Sequence, residues 1–166
     1  AERVFISYSD KLKIHCIRPA TVCGISPRMR LDVSVNLLTM HALSKGKITV
    51  FGGTQVRPNI HIDDITDLYI HLINHPEYVG IYNAGFENIS ILKIAEMVTK
   101  HVPVDIEITE SNDPRSYRVN SDKILSTGFN PQKGVNDAIR EIIEKFNSGI
   151  LKNDEINHNL KWMQSN

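Results

Sequence analysis

Strand-like and helix-like runs take turns along this chain, and that alternation restricts the fold more than any other feature. Residues 11–17 alternate Lys11, Leu12, Lys13, Ile14, His15, Cys16 before turning fully apolar, the pattern of a sheet strand with a buried end. Val35, Leu38 and Ala42 follow helical spacing through residues 33–45, with Gly46 as a stop. Ile48, Thr49, Val50 and Phe51 form a short β-branched strand closed by the Gly52-Gly53 pair. Ile65, Leu68, Tyr69, Leu72 and Ile73 predict a helix over 63–75 that Asp63 or Asp64 can cap and Pro76 ends. A strand at 79–83, a helix opened by Ser90 and an alternating strand at 105–110 come next. A short helix from Ser121 or Asp122 to Gly128 precedes a long one striped with Val135, Ala138, Ile139, Ile142, Ile143 and Phe146. Elements that alternate in this way specify an α/β architecture.

A chain of 166 residues is long enough for one domain with a sizeable core. A hydrophobic fraction of 41% and a formal net charge of zero describe an ordinary globular protein, and give no basis for a nucleic-acid partner. Cys16 and Cys23 fit no metal-ligand spacing and read as reduced packing thiols, which favours the cytoplasm. No apolar run reaches membrane-spanning length and no signal peptide opens the chain, so a membrane partner is not expected. Residues 1–9 look like the tail of a helix, as if the chain began mid-fold; 150–166 read as a polar tail with only Leu160 and Trp162 to anchor it.

Three segments place polar residues beside glycine or proline at strand ends or loops. Residues 18–27 read Arg-Pro-Ala-Thr-Val-Cys-Gly-Ile-Ser-Pro. Pro19 cannot donate to a ladder, so strand pairing is expected to stop at Arg18. Residues 52–64 put Arg57 between a glycine turn and a capped helix, where a guanidinium can grip a phosphate bidentately. Residues 113–120 add Arg115 and Arg118 around Tyr117, and two separated arginines suit a diphosphate.

In this order the segments resemble the C-terminal half of the extended short-chain dehydrogenase/reductase family, the NAD-dependent epimerases and dehydratases of nucleotide sugars. The resemblance runs from Ala1 to about Gly149. Residues 18–27 are similar to an Arg-Pro-x-x-Val-Tyr-Gly-Pro segment, with Cys23 where tyrosine is usual; 52–64 are similar to a Gly-x-x-x-x-Arg-x-x-x-x-x-Asp-Asp segment, with Pro58 and Asn59 departing from it; 115–123 match a late arginine segment. The implied fold is the C-terminal part of an extended Rossmann-type fold, an incomplete parallel sheet plus a small α/β substrate-binding domain interleaved within residues 1–149. The implied roles put Pro19 and Ala20 against NAD or NADP, and Thr21 against the sugar. Asn36, Val50 and Phe51 would line the nucleotide pocket, and Arg57 and Arg115 would hold the diphosphate. Arg28 and Arg30 are weaker candidates for the same task.

The family holds NAD on a glycine-rich turn and does chemistry with a Tyr-x-x-x-Lys pair, and neither occurs here: Tyr8, for instance, is followed by Leu12 four residues on. The resemblance therefore implies the substrate-binding portion of such an enzyme, cut just after its catalytic pair, inactive alone, binding NAD weakly if at all, and forming a homodimer or pairing with the missing N-terminal half. The alternative is a non-catalytic module that binds a nucleotide sugar or another protein. His61-Ile62-Asp63-Asp64 could suggest a metal, but acids at a helix start are read as caps.

Overall fold

A computed structural model describes residues 1–111 and 113–165, apart from the side chains of Glu155, Leu160, Lys161 and Ser165. After a short helix α1 (Glu2–Ile6), strand β1 (His15–Pro19) pairs in parallel with β5 (Gly80–Ala84). Strand β2 (Thr21–Cys23) pairs in parallel with β4 (Val56–His61), which pairs antiparallel with β6 (Glu87–Ser90). Strand β3 (Lys47–Phe51) pairs in parallel with β7 (Asp105–Thr109). Parallel pairs need crossovers, and the chain supplies them with α2 (Ser34–Lys45), α3 (Ile62–Asn74) and α4 (Ile91–Thr99). A short α5 (Asp122–Leu125) and a long α6 (Val135–Asn147) complete the packed layers. The expected α/β architecture is thus present.

Two main cores divide the molecule. One gathers Ile60, Ile65, Leu68, Leu72, Tyr82 and Ala84 between α3 and the β1–β5 pair. The other gathers Val35, Leu38, Ile48, Ile94, Val98, Ala138 and Ile139 among α2, α4, α6 and β3. On α2, α4 and α6 the apolar stripe turns inward, as its periodicity requires. On α3 only Ile65, Leu68 and Leu72 of the expected stripe are buried; Tyr69 and Ile73 face solvent, because the stripe read from the sequence is wider than the face the core covers.

Strand pairing departs from expectation at Pro19, which stays in register opposite Ala84. The ladder bonds at its two ends run from Gly80 N–H to Ile14 O and from Ala20 N–H to Ala84 O. Alternate residues bond in a parallel ladder, so residues 14 and 20 share a phase that leaves the proline nitrogen facing away from β5. Strand β4 was not expected at all, because Pro58 interrupts it. Pro58 faces Asn88 of β6 and precedes the first β2-paired residue, Asn59, so the missing N–H breaks no β2 bond.

Helix α3 is capped by His61, whose Nδ1 accepts from Asp63 N–H at 3.1 Å. This corrects the assignment of the cap to Asp63 or Asp64. Asp64 is buried and its carboxylate instead accepts from the N–H groups of Gln132 (2.8 Å) and Lys133 (3.2 Å). The C-terminal segment is held by more than the two residues expected. Asn157 accepts from Leu31 N–H at 2.8 Å and donates its side-chain amide to Met29 O at 3.0 Å, while Leu151 packs against the Met29–Leu31 cluster. The expected anchor at Leu160 lies outside the described side chains; Trp162 stacks with the Arg28 guanidinium, 5.1 Å from its ring centroid. Among the described residues no helix is long and apolar enough to cross a membrane.

Candidate ligand-binding cleft

The extended run from His15 to Cys23 leaves the β1–β5 pair and enters the β2–β4–β6 sheet at Ala20. Where it crosses lies a cleft of about 400 Å³, with Pro19, Ala20 and Thr21 on one wall and Pro58 and Tyr117 on another. Gly85 makes this crossing tight: a Cβ there would stand 2.6 Å from Ala20 Cβ, closer than two carbons can approach. Gly85 is further fixed by Ser121, whose hydroxyl accepts from its N–H at 2.9 Å and donates to its carbonyl at 3.0 Å.

Behind the cleft, Asn36 on the first turn of α2 holds the loop that follows β2. Its side-chain oxygen accepts from Gly24 N–H at 3.1 Å and its amide donates to Arg30 O at 2.8 Å. Gly24 has φ of 106°, a left-handed geometry that favours glycine, and a Cβ there would meet His61 Nε2 at 3.0 Å. Asn36 is buried with both halves of its amide used on backbone, so it shapes the loop from within. Arg30 lines the cleft and is forked onto Asp32 at 2.8 and 3.2 Å.

The two arginines singled out by the sequence, 58 positions apart, meet at one carboxylate at the Tyr117 side of the cleft. Arg115 donates Nε to Asp113 Oδ1 and a terminal nitrogen to Oδ2, both at 2.7 Å; Arg57 donates to the same Oδ2 at 3.1 Å. Arg57 also donates to the carbonyls of Val56 and Arg115 and lies 5.7 Å from the centroid of the Tyr117 ring. Tyr117 N–H donates to Val56 O at 3.3 Å and Ser116 Oγ accepts from Val56 N–H at 3.0 Å, so this loop is zipped to the start of β4. Arg115's guanidinium and backbone N–H, with Arg57 beyond, hold the Asp113 carboxyl well below the usual carboxylate range. Asp113 was not singled out from the sequence. The signal available was its position two residues before Arg115, where its side chain can accept Arg115 N–H, as it does at 3.0 Å.

The remaining candidates lie elsewhere. Val50 is buried in the core with Ile48 and Ile94, and Phe51 is exposed at the end of β3. Arg28 faces Trp162 in the C-terminal segment. Cys23 donates its thiol to Ile60 O at 3.4 Å, and burial pushes its pKa up to about 12, which suits packing rather than nucleophilic chemistry. His61, Asp63 and Glu141 come close enough to suggest a metal. Lys133 already bridges the two carboxylates at 2.6 and 2.7 Å, and the His61 ring spends Nδ1 on its cap and Nε2 on Glu141 at 3.2 Å. This cluster is an ion-pair bridge between α3 and α6.

Residues 1–85 match the model of the NAD dependent epimerase/dehydratase family. The chain belongs to that family. Curated relatives include anthocyanidin reductase of Arabidopsis thaliana, 25% identical over 154 residues, and a putative anthocyanidin reductase of Ginkgo biloba, 28% identical over 158. These alignments take in 86% and 87% of this chain but 45% of each relative, so the chain spans about half their length. Among solved structures, UDP-glucuronic acid 4-epimerase from Bacillus cereus, in complex with UDP-glucuronic acid and NAD, superposes with a TM-score of 0.74 at 23% identity. That match covers 89% of this chain and 50% of the epimerase. ADP-L-glycero-D-manno-heptose-6-epimerase of Helicobacter pylori gives 0.74 at 17% identity, covering 89% and 48%. At such identities these structures establish the shared fold. For the family's nicotinamide cofactor, the residues present fit only in part: Pro19 and Ala20 offer a cleft wall. Residues 1–166 contain no glycine-rich strand-to-helix turn to cradle a dinucleotide pyrophosphate.

Proposed function

We propose that this chain is the nucleotide-sugar-binding portion of an NAD- or NADP-dependent epimerase, dehydratase or reductase. One observation carries the reading: Arg57 and Arg115, remote in sequence, converge beside a cleft whose wall is Pro19, Ala20 and Thr21. Two guanidiniums meeting at one anionic point are chemically matched to a diphosphate. In this reading Arg57 and Arg115 grip the bridge of an activated sugar and Thr21 faces the sugar. Pro19 and Ala20 border the nicotinamide, which would exchange a hydride with the sugar carbon. Asn36 contributes by shaping the loop, whereas Val50 is enclosed in the core and has no surface to offer a ligand. Residues 1–149 act as the interleaved binding unit and 150–166 as its appended tail.

With no Tyr-x-x-x-Lys in the sequence, the 166-residue polypeptide by itself turns over no nucleotide sugar when mixed with NAD or NADP. The same lack supports a second reading, a binding module without catalysis. In either case UDP should bind, and Arg57→Ala and Arg115→Ala should each weaken it at least tenfold, the rough worth of a charge-assisted hydrogen bond of about 1.5–3 kcal/mol. Calorimetric titration checks this; equal affinity in both variants and the parent removes the diphosphate site. Anthocyanidin binding with no response to UDP would instead align the chain with the substrate for which its curated relatives are named.

A further inference from the structure

We propose that Asp113 is the positioning residue of the diphosphate subsite: its carboxylate locks the exposed Arg115 against Arg57 and stays in place when an anionic ligand binds. The inference rests on the diphosphate reading above and adds a residue to it. Arg115 has a side chain 76% exposed to solvent, against 14% for Arg57. An arginine so exposed samples many rotamers unless something holds it. Among the described residues, every hydrogen bond of the Arg115 guanidinium goes to Asp113. Arg57, in contrast, is placed independently by two backbone carbonyls and the Tyr117 ring.

Counting donors separates a clamp from a competitor. An arginine carries five N–H donors. Arg115 commits Nε and one N–H of a terminal nitrogen to Asp113, leaving three; Arg57 commits both N–H groups of one terminal nitrogen and one of the other, leaving Nε and one more. The pair therefore retains donors for phosphate oxygens while Asp113 remains bound, and the three groups together still carry a single positive charge. Asp113 is itself oriented by the loop, since its N–H donates to Ser111 Oγ at 3.1 Å and its Oδ1 accepts from Arg115 N–H at 3.0 Å. A carboxylate fixed at both ends of its residue is suited to hold a neighbour in place.

Charge and positioning make opposite predictions for Asp113→Asn. If the carboxylate merely fills the anion's place, removing its charge strengthens UDP binding. If it positions Arg115, the variant binds UDP about tenfold more weakly despite its more positive site. Asp113→Glu, which keeps the carboxylate, should recover most of the affinity. The experiment titrates UDP into the protein and both variants, and follows the Arg115 Nε–H signal by NMR in the ligand-free state. The expected result is weak binding by Asp113→Asn together with loss of the protected Nε–H signal, in a variant that still unfolds cooperatively. UDP binding unchanged or tightened in Asp113→Asn overturns the role of Asp113 alone. No UDP binding by the parent protein overturns the diphosphate reading, and the role of Asp113 with it.

Discussion

Asn36 and Gly24 are joined by a hydrogen bond of 3.1 Å that closes the loop behind the cleft, and the other half of the same amide holds Arg30 O. Asn36→Ala would leave a buried N–H and a carbonyl without their partner. The expected cost is about 1–3 kcal/mol of stability per unsatisfied group, read as a lowered urea midpoint at unchanged m-value. Asn36→Asp should also destabilise, because a carboxylate oxygen would then face the Arg30 carbonyl.

Gly85→Ala forces a methyl into the space that Ala20 Cβ fills, at 2.6 Å. Backbone at the crossing must shift, and overpacking of this kind costs about 1–3 kcal/mol. Thermal unfolding should fall by several degrees, and pairing the change with Ala20→Gly should restore part of the loss.

The two thiols should differ in reactivity. Cys23 is 1% exposed and its thiol is pushed up to about 12, whereas Cys16 is half-buried. With a thiolate-detecting reagent at neutral pH, Cys16 should react while Cys23 stays unmodified until the protein unfolds. Early modification of Cys23, located by peptide mapping, would contradict the packing described for it.

The Asp113 clamp fixes a pH dependence. Its carboxyl is depressed by hydrogen bonds from Arg115 and by the Arg57 charge, so its contribution to stability is complete above the ordinary aspartate pKa of about 3.9. It is lost as pH falls through the depressed native value. The stability difference between the parent and Asp113→Asn should therefore be flat from neutral pH to about pH 4 and shrink only below it, measured by denaturant titration at each pH.

Among the described residues β1 pairs with β5 alone, and Val4, Phe5, Ile6 and Leu12, in the segment that leads into β1, are exposed. An open strand edge beside apolar side chains invites pairing. Sedimentation of this polypeptide should show association that Leu12→Lys reduces, and a monodisperse monomer at high concentration would count against it.

Helices and parallel strands were legible where one face of each is buried, because burial imposes a period on the sequence. Strand β4 was hidden by Pro58 and by the polar pair Arg57 and Asn59, residues that mark loops unless their sheet partners are known. Strand β2 is three residues long, too short for any period. The α3 cap went to His61 because Asp64 is drawn off by the 132–133 backbone, a long-range competition that local spacing does not reveal. The meeting of Arg57 with Arg115 followed from motif order, but the carboxylate between them is a fact of the folded loop.

Because one uninterrupted stretch of chain serves two sheets, its changeover at Ala20 is both cleft wall and mechanical seam. A molecule seated against Ala20 and Thr21 would brace both layers at once. Occupancy should therefore be legible far from the ligand, as slowed amide exchange in β5 and β4 together.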